Sequence, residues 1–303
     1  MDTGREIAFF GVGQMGAPMI ARLAGAGHRV RAWNRTFGRA RAVEGPNVTA
    51  VADPREAAAG ADIAISMLTD GAAVIALVGD NDLAGVLPGG AVFVDMSSAR
   101  PQEARELAGM LAAGGVSFCD APVSGGPSGA EEGTLAIMAG CEEPVFDAIR
   151  PVLAAMGRPA RLGPVGTGQL AKLANQLIVG AAIAAVAEAV LLVEQGGADP
   201  DAFRGALAGG FADSKVLQLH GARMAARDFA PRGRAALHLK DMNNILAEAG
   251  KLGLDLPLGR EIGARFRRLC GELGGAGLDH SALFVELLDR NGLASRGPSS
   301  PGR

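Results

Sequence analysis

Short apolar runs alternate with helical spacing through the first half of the chain, and helical spacing alone fills the second half. Residues 7–10, 29–33, 61–67, 91–95 and 116–120 are apolar runs of the length and composition of buried strands. Between them, residues 15–26 carry apolar positions at helical spacing, and residues 101–113 read as a helix opened by Pro101 in its first turn. Strands alternating with helices predict βαβ units and a parallel sheet. The pattern changes near Gly163. Residues 168–195 form one long run rich in Ala, Leu, Ile and Val, and 201–208, 214–224, 237–251, 258–273 and 281–289 all read as helices. The expected organisation is an α/β domain over 1–164, then a long linking helix opening an all-helical domain over 165–292. A Gly/Ser/Pro-rich tail over 293–303 is expected to fray.

The length of 303 residues agrees with two domains. Hydrophobic residues at 49% and charged residues at 20% describe a globular chain, far from disorder. The net charge of −3, with no basic stripe, predicts no nucleic-acid partner. The longest apolar stretch, 177–193, is interrupted by Glu188 and is shorter than the ~20 residues of a membrane span, so a buried helix is expected and no membrane. A helix apolar on nearly every face must be covered on every side. One helical domain of this size does not supply that cover, so a homodimer or higher homo-oligomer is expected. The first five residues run directly into a strand, leaving no room for a signal peptide, and the expected compartment is the cytoplasm.

The rarest residues narrow the chemistry. There is no tyrosine, which excludes tyrosine-dependent proton transfer of the short-chain dehydrogenase kind. Of 29 Lys plus Arg, four are lysine: Lys172, Lys215, Lys240 and Lys251. Three cysteines form no CxxC, and four histidines form no HxxxH pair, so neither a disulfide framework nor a metal site is expected. Glycine numbers 45, about twice the usual share, with no collagen period. The surplus belongs at turns, caps and close backbone approaches.

Gly11-Val12-Gly13-Gln14-Met15-Gly16 is G-x-G-x-x-G. The motif alone is weak, but here it follows a strand and opens a helix, the context that makes it a dinucleotide loop and the domain Rossmann-type. Gly11 permits the tight turn, Gly13 lets the backbone approach a pyrophosphate, and Gly16 allows close helix–strand packing. The helix N-terminus then offers N–H donors to phosphate. An NAD site places Asp or Glu about 20 residues further on, to accept from the ribose 2′-OH. This chain has Asn34-Arg35-Thr36 there. An arginine fork suits a 2′-phosphate and cannot accept from a hydroxyl, so NADP(H) is expected over NAD(H).

Further along, Asp120-Ala121-Pro122-Val123-Ser124-Gly125-Gly126 leaves backbone N–H groups uncovered after a serine, a natural carboxylate cradle at what reads as the end of the last strand. Gly166-Thr167-Gly168-Gln169-Leu170-Ala171-Lys172-Leu173-Ala174-Asn175 puts Lys172 and Asn175 on one helix face at i, i+3. Lys240-Asp241 sits in a later helix. With four motifs in this order over roughly residues 5–290, the chain resembles the β-hydroxyacid dehydrogenase family. Its members include 3-hydroxyisobutyrate dehydrogenase, tartronate semialdehyde reductase and glyoxylate/succinic semialdehyde reductase. The resemblance implies that the glycine loop (Gly11, Gly13, Gln14, Met15, Gly16) with Asn34, Arg35 and Thr36 holds the dinucleotide. It implies that Met67 and Leu68 line the cofactor cleft, that Ser98 lies near the nicotinamide and that Lys240 reaches over the cofactor. It further implies that Ser124, Gly125 and Gly126 hold the substrate carboxylate, Lys172 is the catalytic lysine, and Asn175 orients the substrate. Asn-Arg-Thr after the second strand looks most like the NADPH-dependent semialdehyde reductases.

The chemistry of the residues agrees. Reducing a carbonyl needs a hydride on carbon and a proton on oxygen. With no tyrosine, a lysine on an apolar helix is the natural donor. The expected function is NADPH-dependent, reversible reduction of a small carboxylated aldehyde, with Lys172 as general acid/base. Two other readings stand beside it: an imine reductase on the same architecture, and a non-catalytic dinucleotide-binding module. Imine reductases often replace the lysine and lose the Ser-Gly-Gly cradle, and a non-catalytic module needs neither Lys172 nor Asn175; all are retained here. Two positions depart from the family pattern. Gln176 stands where Asn is frequent, and Gly233, in Arg232-Gly233-Arg234, stands where relatives often carry an aromatic. A wider cleft, arginine contacts to an acidic substrate or to cofactor phosphates, and a solvated basic turn all fit Arg232-Gly233-Arg234.

Overall fold

The structure is a computed structural model and describes residues 4–293. Its strands are Glu6–Phe10 (β1), Arg29–Trp33 (β2), Val48–Val51 (β3), Ile63–Ser66 (β4), Val92–Asp95 (β5), Ser117–Asp120 (β6), Val123–Ser124 (β7), Leu135–Gly140 (β8) and Gly157–Gly163 (β9). They join in one sheet of order β3-β2-β1-β4-β5-β6-β8-β7, with β9 paired to β8. The neighbours from β3 to β6 are all parallel.

Side-chain alternation explains why these runs are apolar on both faces. Ile7 and Phe9 of β1, Ile63 and Ile65 of β4, and Val92 and Val94 of β5 enter one core. Ala8, Phe10, Ala64 and Phe93 enter the other. On that second face Phe10 stacks on Phe93 and Phe93 on Phe118, with centroids 6.2 and 6.3 Å apart. A parallel sheet buried on both sides needs continuous apolar strands, and these supply them.

The expected parallel sheet is present from β3 to β6, whereas the expectation that the sheet ends with the strand at Asp120 is corrected. Three strands follow β6, and β8 runs antiparallel to both β6 and β7. Their composition hid them. β8 reads Leu-Ala-Ile-Met-Ala-Gly, without the β-branched and aromatic density of the earlier strands, and β9 reads Gly-Arg-Pro-Ala-Arg-Leu-Gly. The proline in β9 is tolerated because that strand pairs with β8 alone.

The chain divides into two compact units, one through Lys172 and one from Leu173. The division falls inside the helix Thr167–Gln195, because its first turn is held by strand ends of the first unit: the Asp120 carboxylate accepts from the Gly166 and Gln169 N–H groups, each at 2.7 Å. That helix, within one residue of the run expected over 168–195, has 29 residues and is long and apolar enough to cross a membrane by length and composition. In the second unit it is a core helix. Ile183, Ala187 and Val190 are fully buried there with Met242, Phe266 and Phe284.

The other helices of this unit, Pro200–Leu207, Lys215–Ala226, Ala235–Lys251, Pro257–Gly271 and Leu283–Arg290, lie within about two residues of their expected bounds. Buried Glu286 ties the last two together by accepting from Arg265 Nε at 2.9 Å and Arg268 Nη1 at 3.2 Å. Leu293 packs against this core rather than opening a tail, and residues 294–303 of the expected tail lie outside the described residues.

Candidate active site

After β1 the chain crosses to β2 and β3 on one side, and later resumes at β4 on the other. The carboxyl ends of β1 and β4 therefore flank a switch point, where open α/β sheets hold ligands. The sequence-predicted residues of the first unit collect at these strand ends. Gly11 follows β1, Asn34 follows β2, Met67 and Leu68 follow β4, Ser98 lies shortly after β5, and Ser124, Gly125 and Gly126 close β7.

The glycine loop is shaped by sterics. Gly11 has φ +110°, and a Cβ there would collide with the Met67 carbonyl oxygen and the Leu68 side chain. A Cβ on Gly16, the first residue of the helix Gly16–Gly25, would collide with the Gly11 carbonyl oxygen and crowd Phe9. At Gly13 an added Cβ meets nothing within 4 Å, so no protein atom requires glycine there; the bare backbone leaves room for a ligand phosphate. That contrast is the fit expected of a dinucleotide loop. Asn34 sets the loop's height: its Oδ1 accepts from Val12 N at 3.0 Å, and its Nδ2 donates to the Thr36 carbonyl at 3.0 Å. Gln14, Arg35 and Thr36 are exposed beside it, and Met15 is half-buried.

A buried polar network fixes the neighbouring strand ends. Asp95 Oδ1 accepts from Ser66 Oγ at 2.8 Å and Ser97 N at 3.0 Å, and Ser97 Oγ accepts from Leu68 N at 2.9 Å. The network places half-buried Ser98 next to the residues that follow β4. Burial pushes the Asp95 carboxyl up to about 6, against hydrogen bonds from Ser97 and Ser66 that lower it. Burial likewise pushes Asp120 up to about 7, against its two backbone N–H donors.

Lys172 reaches the residue that precedes the Ser-Gly-Gly segment. Lys172 Nζ donates to the Val123 carbonyl at 2.9 Å, one residue before Ser124. Gly125 and Gly126 have φ +144° and +66°, open the helix Gly126–Glu132, and leave their backbone exposed. The lysine amine is thus hydrogen-bonded to the strand two residues before the first of these glycines.

In the second unit the expected residues form a chain. Asn175 Nδ2 donates to Gln176 Oε1 at 2.9 Å, Gln176 Nε2 donates to Asp241 Oδ2 at 2.7 Å, and Lys240 Nζ lies 3.7 Å from Asp241 Oδ1. Gln176 therefore uses its extra methylene to reach Asp241 and bridge the two lysine-bearing helices of the motif. Asp241 was visible in sequence as the neighbour of Lys240, but its partner 65 residues away was not.

Gly233 also has a physical account. Its N–H donates to Asp279 Oδ2 at 2.9 Å, and a Cβ there would meet the His280 ring at 3.4 Å. Arg232 pairs with Asp228 at 2.8 Å. Beneath this turn His220, Asp279 and His280 bring their ligand-type atoms within 4.8 Å of one another, a grouping that the histidine spacing did not reveal. The cation present among them is a guanidinium: Arg223 Nη1 lies 3.2 Å from both His220 Nδ1 and Asp279 Oδ1. Burial resists ionisation of Asp279, but hydrogen bonds from Ser281 and Gly233 prevail and hold it at about 2. Burial, with His280 beside it, lowers His220 to about 4.

Residues 6–186 match the profile of the NAD binding domain of 6-phosphogluconate dehydrogenase. Residues 166–287 match that of the NAD-binding of NADP-dependent 3-hydroxyisobutyrate dehydrogenase. With the glycine loop at the sheet's switch point, this defines an NAD(P)-dependent oxidoreductase. Among relatives, 2-hydroxy-3-oxopropionate reductase of Escherichia coli (strain K12) is 40% identical over 294 residues, covering 95% of this chain and 100% of that one. The 3-hydroxyisobutyrate dehydrogenase of Pseudomonas aeruginosa is 34% identical over 263 residues, covering 84% and 88%. The structure of Mycobacterium tuberculosis 3-hydroxyisobutyrate dehydrogenase with L-serine superposes with a TM-score of 0.84 at 31% identity, covering 94% of this chain and 99% of that one. The chain belongs to the β-hydroxyacid dehydrogenase family.

The histidine cluster gives a pH prediction. His220 falls from about 6.5 unfolded to about 4 folded, so between these values the unfolded chain holds the extra proton, and stability contributed by neutral His220 is lost as pH falls from 6.5 to 4. Burial sets most of this balance; His280 and Arg223 add to the lowering and Asp279 opposes it. Denaturant unfolding is expected to show the wild type losing about 3 kcal/mol relative to His220→Asn across that window. A constant difference between the two proteins would remove the assignment.

Proposed function

We propose that this enzyme reduces a small carboxylated aldehyde of the 2-hydroxy-3-oxopropionate type to the hydroxyacid, reversibly, with NADPH as the preferred cofactor. The observation that carries the reading is the Lys172 ammonium donating to Val123 O at 2.9 Å, one residue from the Ser124-Gly125-Gly126 cradle. A substrate carboxylate accepts hydrogen bonds from Ser124 and the Gly125 and Gly126 backbone, which brings its carbonyl to Lys172. Lys172 gives its proton to the carbonyl oxygen as the carbon is reduced, and takes it back in the oxidising direction. The bound nicotinamide supplies or accepts the hydride. Asn175 orients the substrate, and the Gln176–Asp241 link holds Asn175 and Lys240 in place. Gly11, Gly13, Gln14, Met15, Gly16 and Asn34 hold the dinucleotide, with Met67, Leu68 and Ser98 along its path. Exposed Arg35 and Thr36 take the 2′-phosphate.

Spectrophotometric assay of short semialdehydes, with and without a carboxylate, tests this reading. Carboxylated aldehydes are expected to show higher kcat/KM with NADPH than with NADH, and Arg35→Ala is expected to narrow that ratio on the order of 10-fold. Equal turnover of aldehydes lacking a carboxylate, or preference for NADH, would reject it.

The same reading includes a homodimer built on the second unit. Ile178 and Leu192 of the long helix are 69% and 76% exposed, and Ile178 lines an apolar groove with Ala181, Ala185 and Leu258. Sedimentation is expected to give a dimer and Ile178→Arg a monomer. A monomeric wild type at micromolar concentration would contradict it.

A further inference from the structure

Gln169 is fully buried in the first unit one helical turn before Lys172, and its side-chain amide and backbone N–H are all engaged. Its Oε1 accepts from Ala99 N at 2.9 Å, and its Nε2 donates to the Ser97 carbonyl at 2.8 Å. The two bonds close on the backbone on either side of Ser98. Its own N–H donates to Asp120 Oδ2 at 2.7 Å. Only an amide satisfies this pair of sites, because Ala99 N needs an acceptor and Ser97 O needs a donor within one planar group. A carboxylate would lose the donor and bury a charge, and an apolar side chain would leave both backbone groups without that partner. The fit is close throughout: a Cβ on adjacent Gly168 would press on Asp120 Oδ2 at 2.9 Å.

Residues three apart on a helix share a face, so the residue clamped to the Ser98 turn and the residue carrying the ammonium move together. We propose that Gln169 is a positioning residue for the reaction, setting the Lys172 ammonium against the Ser98 turn through its two amide hydrogen bonds. This rests on the reading of Lys172 as proton donor. A displacement of about 1 Å at a reacting group costs on the order of 100-fold in rate, so a clamp of this kind acts on turnover more than on cofactor affinity.

The test compares wild type, Gln169→Met, which nearly conserves volume, and Gln169→Ala. It measures kcat, KM for NADPH and thermal midpoint, together with NMR of the full chain after ¹³C-dimethylation of lysines. With four lysines in the chain, the Lys172 signal is assigned by its loss in Lys172→Ala. The expected result is a fall in kcat of about 10-fold to 100-fold in both Gln169 variants, with KM for NADPH within about twofold and a shifted Lys172 resonance in folded protein. Unchanged kcat overturns the proposal, and so does an unmoved Lys172 resonance. Loss of the folded state in both variants also overturns it, because it assigns Gln169 to stability alone. A wild type that turns over no carboxylated aldehyde rejects the proposed substrate reading instead, and the resonance shift then decides the role of Gln169 by itself.

Discussion

One carboxyl group decides where the helix that carries Lys172 begins. The first N–H groups of any helix lack intrahelical partners, so a hydrogen-bond acceptor held against them is stabilising. Here the group comes from a strand. Asp120, at the end of β6, takes the N–H groups of Gly166 and Gln169 with both oxygens. The bond spans 46 to 49 residues of chain, so the helix start is tied to the sheet and not only to its own turn. Lys172 follows one turn later, and its reach to Val123 is a consequence of that start. The same helix continues to Gln195 and supplies the fully buried Ile183, Ala187 and Val190 of the second unit.

The parts that sequence revealed are those whose signal is local. β1, β2, β4, β5 and β6 are short runs dense in Ile, Val, Phe and Trp, and the glycine loop declares itself by following one of them. The helices of the second unit carry long apolar periods. β8 and β9 carried no such density, and an antiparallel addition to a parallel sheet leaves no local mark. The hydrogen bonds within each unit were also invisible, because they join distant positions: Gln169 to Ser97 and Ala99 in the first, Gln176 to Asp241 and Gly233 to Asp279 in the second. A side chain's type announces chemistry, whereas its partner is chosen by the fold. Gln176 illustrates the limit. It stands where the family frequently has asparagine and is one methylene longer, and the fold turns that length into a bond to Asp241.

The chain's unusual composition has a consistent physical use. Arginine serves as its structural cation, with a planar fork suited to buried and shared acids. Arg265 and Arg268 converge on buried Glu286, and Arg223 sits between His220 and Asp279. Lysine is scarce, and two of the four stand at Lys172 and Lys240. The glycine surplus is only partly explained by function. Gly11 and Gly16 are required by contacts with Met67 and with Gly11 itself, and Gly13 is the residue of the loop whose bareness faces no protein atom.

Chemical rescue tests whether the Lys172 amine delivers the proton. In Lys172→Ala, turnover of a carboxylated aldehyde with NADPH is expected to fall on the order of 10²-fold to 10⁴-fold. Added methylamine is expected to restore part of it in proportion to amine concentration, while NADPH affinity stays as in wild type. A Lys172→Ala enzyme that turns over at the wild-type rate without added amine would contradict the account.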